Sequence, residues 1–178
     1  MHHLIRAFEQ IKTDKKLVIV GDDPWEKEYV RSLRSTRDSR VVFTGGVYGD
    51  GYEQLQRNAY VFALPDEVGG THPALVEAMG FGNCVLVNDT PSNMETIGDA
   101  GLGYRGQDGD RDLQRQLEFL LTSPQIVSDY RLRAEERART RYCWDQVVRA
   151  HSALYQQVSS TPQPATRERV DSVKIEGD

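Results

Sequence analysis

The sequence is poor in cysteine, has no surplus of positive charge, and contains no long apolar run. Its 178 residues include 2 cysteines, Cys84 in a β-branched apolar run and Cys143 in a helix-compatible stretch. That is too few for a disulfide framework, and both read as buried thiols of a reducing cytoplasm rather than as a bridge. Lys and Arg number 22 against 27 Asp and Glu, a formal charge of -5, which argues against a chain clamped on nucleic acid. No run approaches the ~20 apolar residues of a membrane helix, and the N-terminus lacks a secretory apolar segment, so membrane association is expected to be peripheral at most. His2, His3 and His151 have no ligand spacing with the cysteines, which gives a metal no site. What is present is a chain of one domain's length, 38% hydrophobic, with the apolar residues gathered into discrete runs.

Four such runs punctuate the first half: 17–20 (Leu-Val-Ile-Val), 41–43 (Val-Val-Phe), 60–64 (Tyr-Val-Phe-Ala-Leu) and 84–87 (Cys-Val-Leu-Val). Each is apolar throughout rather than alternating, the pattern of strands buried on both faces, which are mostly parallel. Gly, Asp, Asn and Pro follow each run, and helix-compatible stretches at 25–34, 52–58 and 73–79 lie between them. The repeat predicts an α/β, Rossmann-like parallel sheet with helices on both faces, closed by a weaker strand at 102–104.

After Gly109 the pattern becomes helical: 112–121, then about 125–141 beyond Ser123-Pro124, then a third helix from near Trp144. These helices are expected to cover the sheet. The arginines between Arg131 and Arg141, interspersed with Glu135 and Glu136, read as a solvated helix face. From Ser159 the chain is polar and without periodicity, so residues 1–158 are expected to form the domain and 159–178 a disordered tail.

The start of the chain departs from this plan. Leu4, Ile5, Phe8 and Ile11 mark an amphipathic helix beginning almost at residue 1, where a doubly wound domain opens with a strand. In that order the first strand is central, so the first strand is expected to be missing and the domain truncated at its N-terminus. The runs at 17–20 and 60–64 should then either collapse into a direct pair or leave a gap.

The densest chemistry lies after the third run: Glu67-Val68-Gly69-Gly70-Thr71-His72-Pro73-Ala74-Leu75-Val76-Glu77-Ala78-Met79-Gly80. Ligands of open α/β sheets bind at this carboxyl edge. The glycines allow close backbone approach, Thr71 or His72 can cap the helix, and Pro73 suits its first turn. The helix start offers free amides and a positive dipole end to an anion. Glu77, one turn in, can present two acceptor oxygens to the vicinal hydroxyls of a ribose. A capped helix with a solvated glutamate fits the same spacing. Gly49-Asp50-Gly51 lacks the third glycine of a dinucleotide fingerprint and reads equally as a loop.

The residue order goes further than the spacing. The run resembles the donor-binding segment of the GT-B glycosyltransferases of family 4, in which a Glu, a Gly-rich stretch and a second Glu precede Ala-Met and a Gly. His3-Leu4-Ile5-Arg6-Ala7-Phe8 is similar to the first helix of that family's C-terminal, nucleotide-sugar-binding domain. The runs from 17, 41 and 84 resemble its later strands, and Tyr142-Cys143-Trp144-Asp145 resembles the step before its closing helix. The wording from Glu67 to Met79 is closest to the rhamnosyltransferase-like branch of bacterial polysaccharide enzymes. The likeness covers about residues 3–158.

The resemblance implies a retaining transferase that moves a hexose or deoxyhexose from a nucleoside-diphosphate sugar to a glycan or lipid-linked acceptor, with no cofactor beyond the donor. Glu77 would bind the ribose, Gly69, Gly70, Thr71 and His72 the diphosphate and sugar, and Gly46, Val47 and Tyr48 would frame the base. The family's first Glu stands eight residues before the second, where this chain has Gly69. Glu67, ten before, is the remaining carboxylate candidate for contact with the transferred sugar. Both the family's basic clamp on the diphosphate and its acceptor domain would lie upstream of residue 1. A non-catalytic sugar-nucleotide-binding or interaction module on the same fold is the alternative, and a nicotinamide-dependent oxidoreductase lacks its glycine fingerprint.

Overall fold

The structure is a computed structural model and describes residues 1–160. The described chain separates into two compact units, which meet in sequence at Tyr142 and Cys143.

The first unit alternates helix and strand: α1 (His2–Glu9), β1 (Leu17–Val20), α2 (Lys27–Leu33), β2 (Val41–Gly45), α3 (Asp50–Asn58), β3 (Val61–Leu64), α4 (Pro73–Gly80), β4 (Cys84–Asn88), α5 (Pro91–Ile97) and β5 (Leu102–Tyr104), followed by a short 3-10 turn and then α6 (Asp110–Thr122) and α7 (Pro124–Arg141). All strand pairs are parallel, β1 with β2, β3 with β4 and β4 with β5. They form two sheets rather than one, ordered β1-β2 and β3-β4-β5. Of the two expected outcomes for the runs at 17–20 and 60–64, direct pairing is the one that does not occur. A cavity of about 730 Å³ is lined by all four residues of β1 and all four of β3.

Strand β4 is buried at every position, as a strand with a neighbour on each side should be. Its side chains alternate between two cores. Cys84 and Leu86 join Leu4, Ala7, Tyr104, Leu113 and Leu120 on one face. Val85 and Val87 join Leu75, Met79, Ile97, Ala134 and Ala138 on the other. Helices therefore cover both faces, α1 and α6 on one, α4, α5 and α7 on the other. Strand β1 reads as equally apolar but alternates in burial, with Val18 39% and Val20 42% exposed. The reason is its position at an open edge beside the cavity.

Helix α1 ties the two sheets together. Leu4 and Ala7, with Ile11 just past the helix, enter the core of the three-stranded sheet, while Ile5 and Phe8 pack with Val41 over the two-stranded one. Apolar residues at three- and four-residue spacing on both flanks give the helix two buried sides. Helix α5 was not foreseen from the sequence. Its signal was Thr90-Pro91: the Thr90 hydroxyl accepts from the Asn93 amide at 3.3 Å, and Pro91 fills the first helical position.

The arginines of α7 are not a simple solvated face. Arg131 donates from Nε to the Gly82 carbonyl at 2.9 Å, just past α4. Arg137 donates to the carbonyls of Thr96 and Glu95, both at 2.7 Å, in the last turn of α5. Orphan carbonyls and the negative dipole ends of two helices draw these cations inward.

The second unit is described as helix α8 (Trp144–Ser160). None of its residues is buried, and Trp144, Val148, Leu154, Tyr155 and Val158 are exposed. Ser159 and Ser160, expected in the polar tail, close this helix; the remainder of that tail, 161–178, lies outside the described residues. Cys84 is buried, with its thiol pushed up to about 12 by that burial, whereas Cys143 is partly exposed and lies between α7 and α8 rather than within a helix. Both are free thiols. No described helix is long and apolar enough to cross a membrane.

Candidate functional site

The loop from Pro65 to His72 leaves the carboxyl end of β3 and turns into α4, so all the proposed donor-binding residues lie at one edge of the sheet. His72 occupies the N-cap position, with φ -85° and ψ 117°, but neither it nor Thr71 caps the helix with a side chain. Its backbone carbonyl accepts the first helical bonds, from the amides of Leu75 at 3.0 Å and Val76 at 3.3 Å. Among the described residues, the amides of Gly70, Thr71, His72 and Ala74 have no protein acceptor. Pro73 has no N–H to offer. A helix start with several unused donors is a ready seat for an anion.

Gly69 explains part of the loop's shape. Its φ is +151°, and a Cβ there would stand 2.7 Å from Cε1 and Nε2 of His72. In this conformation a side chain at position 69 would strain the backbone and displace the His72 ring. The Gly69 carbonyl accepts from the Ser92 hydroxyl at 3.0 Å, which ties the loop to the start of α5. The His72 ring has Nδ1 3.6 Å from an Asp66 carboxylate oxygen, which braces the loop from the other side.

The two glutamates are placed differently. Glu67 is exposed and makes no hydrogen bond or ion pair among the described residues. Its charge acts on the Met1 ammonium and, as a lesser cause than burial, on the Tyr104 phenol, which is pushed up to about 12. Glu77 lies one turn into α4, and its Oε2 accepts from the Tyr52 hydroxyl at 2.6 Å. That hydroxyl in turn accepts from the Gln56 amide at 3.0 Å. Tyr52 also stands edge-on to Phe81, with ring centroids 6.4 Å apart, which seats α3 on the end of α4. Sequence reasoning missed Tyr52 and Gln56, although their four-residue spacing on an expected helix puts them on one face.

Gly46, Val47 and Tyr48 form the loop between β2 and α3. The Tyr48 ring is 87% exposed and folds over Gly46, where a Cβ would meet it at 3.1 Å. Gly49 has φ +57° and starts α3, which gives Gly49-Asp50-Gly51 a turn-and-helix role. No cluster of three or more His, Cys, Asp or Glu side chains that could hold a metal occurs among the described residues.

Parallel strands, helices on both faces and a loop-to-helix turn at the carboxyl edge define a Rossmann-like domain of the GT-B kind. Solved structures share this fold. The chain is similar to sucrose-phosphate synthase from Thermosynechococcus elongatus, with 23% identity and a TM-score of 0.76 over 88% of this chain and 41% of that one. It is similar to Anabaena HepE in complex with UDP-glucose, with 22% identity and a TM-score of 0.77 over 90% of this chain and 45% of that one. Residues 1–123 match the family described as "Glycosyl transferases group 1", and the chain belongs to that family. It is also 26% identical over 153 residues to an N-acetylgalactosamine-N,N'-diacetylbacillosaminyl-diphospho-undecaprenol 4-alpha-N-acetylgalactosaminyltransferase of Campylobacter jejuni subsp. jejuni serotype O:2, covering 85% of this chain. The chain spans 41% of the length of that relative.

Proposed function

We propose that this domain is the donor-binding half of a retaining glycosyltransferase of family 4. It would bind a nucleoside-diphosphate hexose or deoxyhexose and act with a second half that holds a glycan or lipid-linked acceptor. The observation that carries the reading is the carboxyl-edge seat: unused amides at residues 70–72 and 74, with an anchored carboxylate, Glu77, one turn further on. The amides would receive the diphosphate and stabilise it as a leaving group, Glu77 would accept from the ribose, and the loop at Gly46, Val47 and Tyr48 would frame the base. No cofactor is needed, because the donor carries the activated bond. The Campylobacter relative's name contains a diphospho-undecaprenol acceptor, which favours a lipid-linked acceptor and work at the cytoplasmic membrane face. The rhamnosyltransferase-like branch of polysaccharide biosynthesis remains the preferred placing, on the wording of residues 67–79.

Gly69 favours a second reading. With no glutamate where the family pattern has its first, the domain would bind a sugar nucleotide without turning it over.

Calorimetric titration with UDP, GDP, dTDP and NADH tests the site. Binding of a nucleoside diphosphate but not of NADH is expected, and preference for NADH would overturn the reading. Transfer assayed with an acceptor half joined upstream separates the two readings: turnover supports the enzyme, and donor binding without turnover supports the module. The domain by itself is expected to transfer negligibly, because in this reading a second half holds the acceptor and helps to exclude water.

A further inference from the structure

The hydroxyl of Tyr52 lies between Glu77 and Gln56, and behind Gln56 stands Asn83, whose Nδ2 is 3.0 Å from the Gln56 Oε1. Gln56 and Asn83 are buried side chains on α3 and just ahead of β4. The direction of every bond in this row follows from its exposed end. An ionised carboxylate can only accept, so the Tyr52 proton goes to Glu77. The phenol oxygen can then only accept from Gln56, which must present its amide nitrogen. The Gln56 oxygen is thereby turned to Asn83, which must present its own nitrogen. One acceptor-only group at the surface sets the orientation of two buried amides, and they in turn hold the phenol.

Burial raises the Tyr52 pKa, and the bond to Glu77 raises it further, so the phenol stays a donor through the working range of pH. Its ring is fixed independently by Phe81. Glu77 Oε2 is thus engaged, while Oε1 has no partner among the described residues. A glutamate on an exposed helix face otherwise samples several rotamers, and a ligand must select one.

We propose that Tyr52, backed by Gln56 and Asn83, is a positioning residue that presets the Glu77 carboxylate so that Oε1 is offered to a ribose hydroxyl. This rests on the nucleotide-binding reading of Glu77. The row discriminates ribose by orienting its acceptor before the ligand arrives, and Tyr52 itself touches no part of the nucleotide.

The test is a pair of titrations, UDP against its 2′,3′-dideoxy analogue, on the wild-type chain, on Tyr52→Phe and on Gln56→Met. Tyr52→Phe keeps the ring against Phe81, and thermal unfolding checks that the fold is retained. The wild type should prefer UDP, and Tyr52→Phe should weaken UDP by roughly 5- to 10-fold while leaving the dideoxy analogue unchanged. Gln56→Met should narrow the preference in the same direction by less. Equal weakening of both ligands in Tyr52→Phe would make Tyr52 a general structural residue and overturn the proposal, as would an undiminished preference for UDP. If the wild type binds UDP and its analogue equally, the ribose role of Glu77 itself is wrong, and the proposal falls with it.

Discussion

Gly69 lies directly against the imidazole of His72: a Cβ at position 69 would stand 2.7 Å from two ring atoms, on a backbone with φ +151°. The loop that starts α4 therefore depends on the absence of a side chain there. Gly69→Ala should destabilise the domain by about 1–3 kcal/mol, from backbone strain and displacement of the ring. In a His72→Ala background the clash disappears while the strain stays, so the double variant should lose less than the sum of the singles. Urea denaturation of the four proteins measures this, and strict additivity would show that the ring and the glycine do not meet.

Glu77 and Glu67 should differ in nucleotide binding. Glu77 is anchored by Tyr52, whereas Glu67 has no partner among the described residues. Glu77→Gln is expected to weaken a nucleoside diphosphate by roughly tenfold, about 1.4 kcal/mol, and Glu67→Gln by much less. Calorimetry on the two variants decides it, and a larger loss at Glu67 would mean that the loop reads in another register.

Asp112 is expected to contribute to the acid limit of the domain. Its carboxylate is buried, which opposes ionisation, yet it accepts from the Arg105 amide at 2.8 Å and from Arg115 at 2.9 Å and 2.6 Å, and its pKa falls below the ordinary 3.8. A depressed folded-state pKa contributes stability that is full above 3.8 and is lost as pH falls through the lower folded value. Asp112→Asn should therefore be less stable at neutral pH, by about 1–3 kcal/mol, and should show a flatter acid limb. Thermal unfolding between pH 7 and the acid midpoint follows both effects. A variant with an unchanged acid limb would remove Asp112 from the account.

Amide exchange should rank the strands. β4 is flanked on both sides and buried throughout, while β1 and β3 each pair on one side and border the cavity. Amides of β4 are expected to exchange most slowly, with β1 and β3 opening first. Equal protection in β1 and β4 would mean that the open edge of β1 is covered in solution.

The sequence by itself determined the order of elements and the place of the glycine-rich loop at the carboxyl edge of the sheet. Apolar β-branched runs mark strands, and glycine and proline after them mark turns, because those choices act within a few residues. The loop from Glu67 to His72 and the helix bearing Glu77 were legible for the same reason. What only the tertiary structure decided was which groups meet across the chain. β1 and β4 look alike as sequence, yet one is half exposed and the other fully buried, because burial depends on neighbours that a run of four residues cannot encode. Arg131 and Arg137 read as surface charge until the ends of α4 and α5 are placed beside them. The anchoring of Glu77 by Tyr52 spans 25 residues of sequence. It exists only because α3 packs against α4, where a carboxylate that can only accept faces a phenol that must donate.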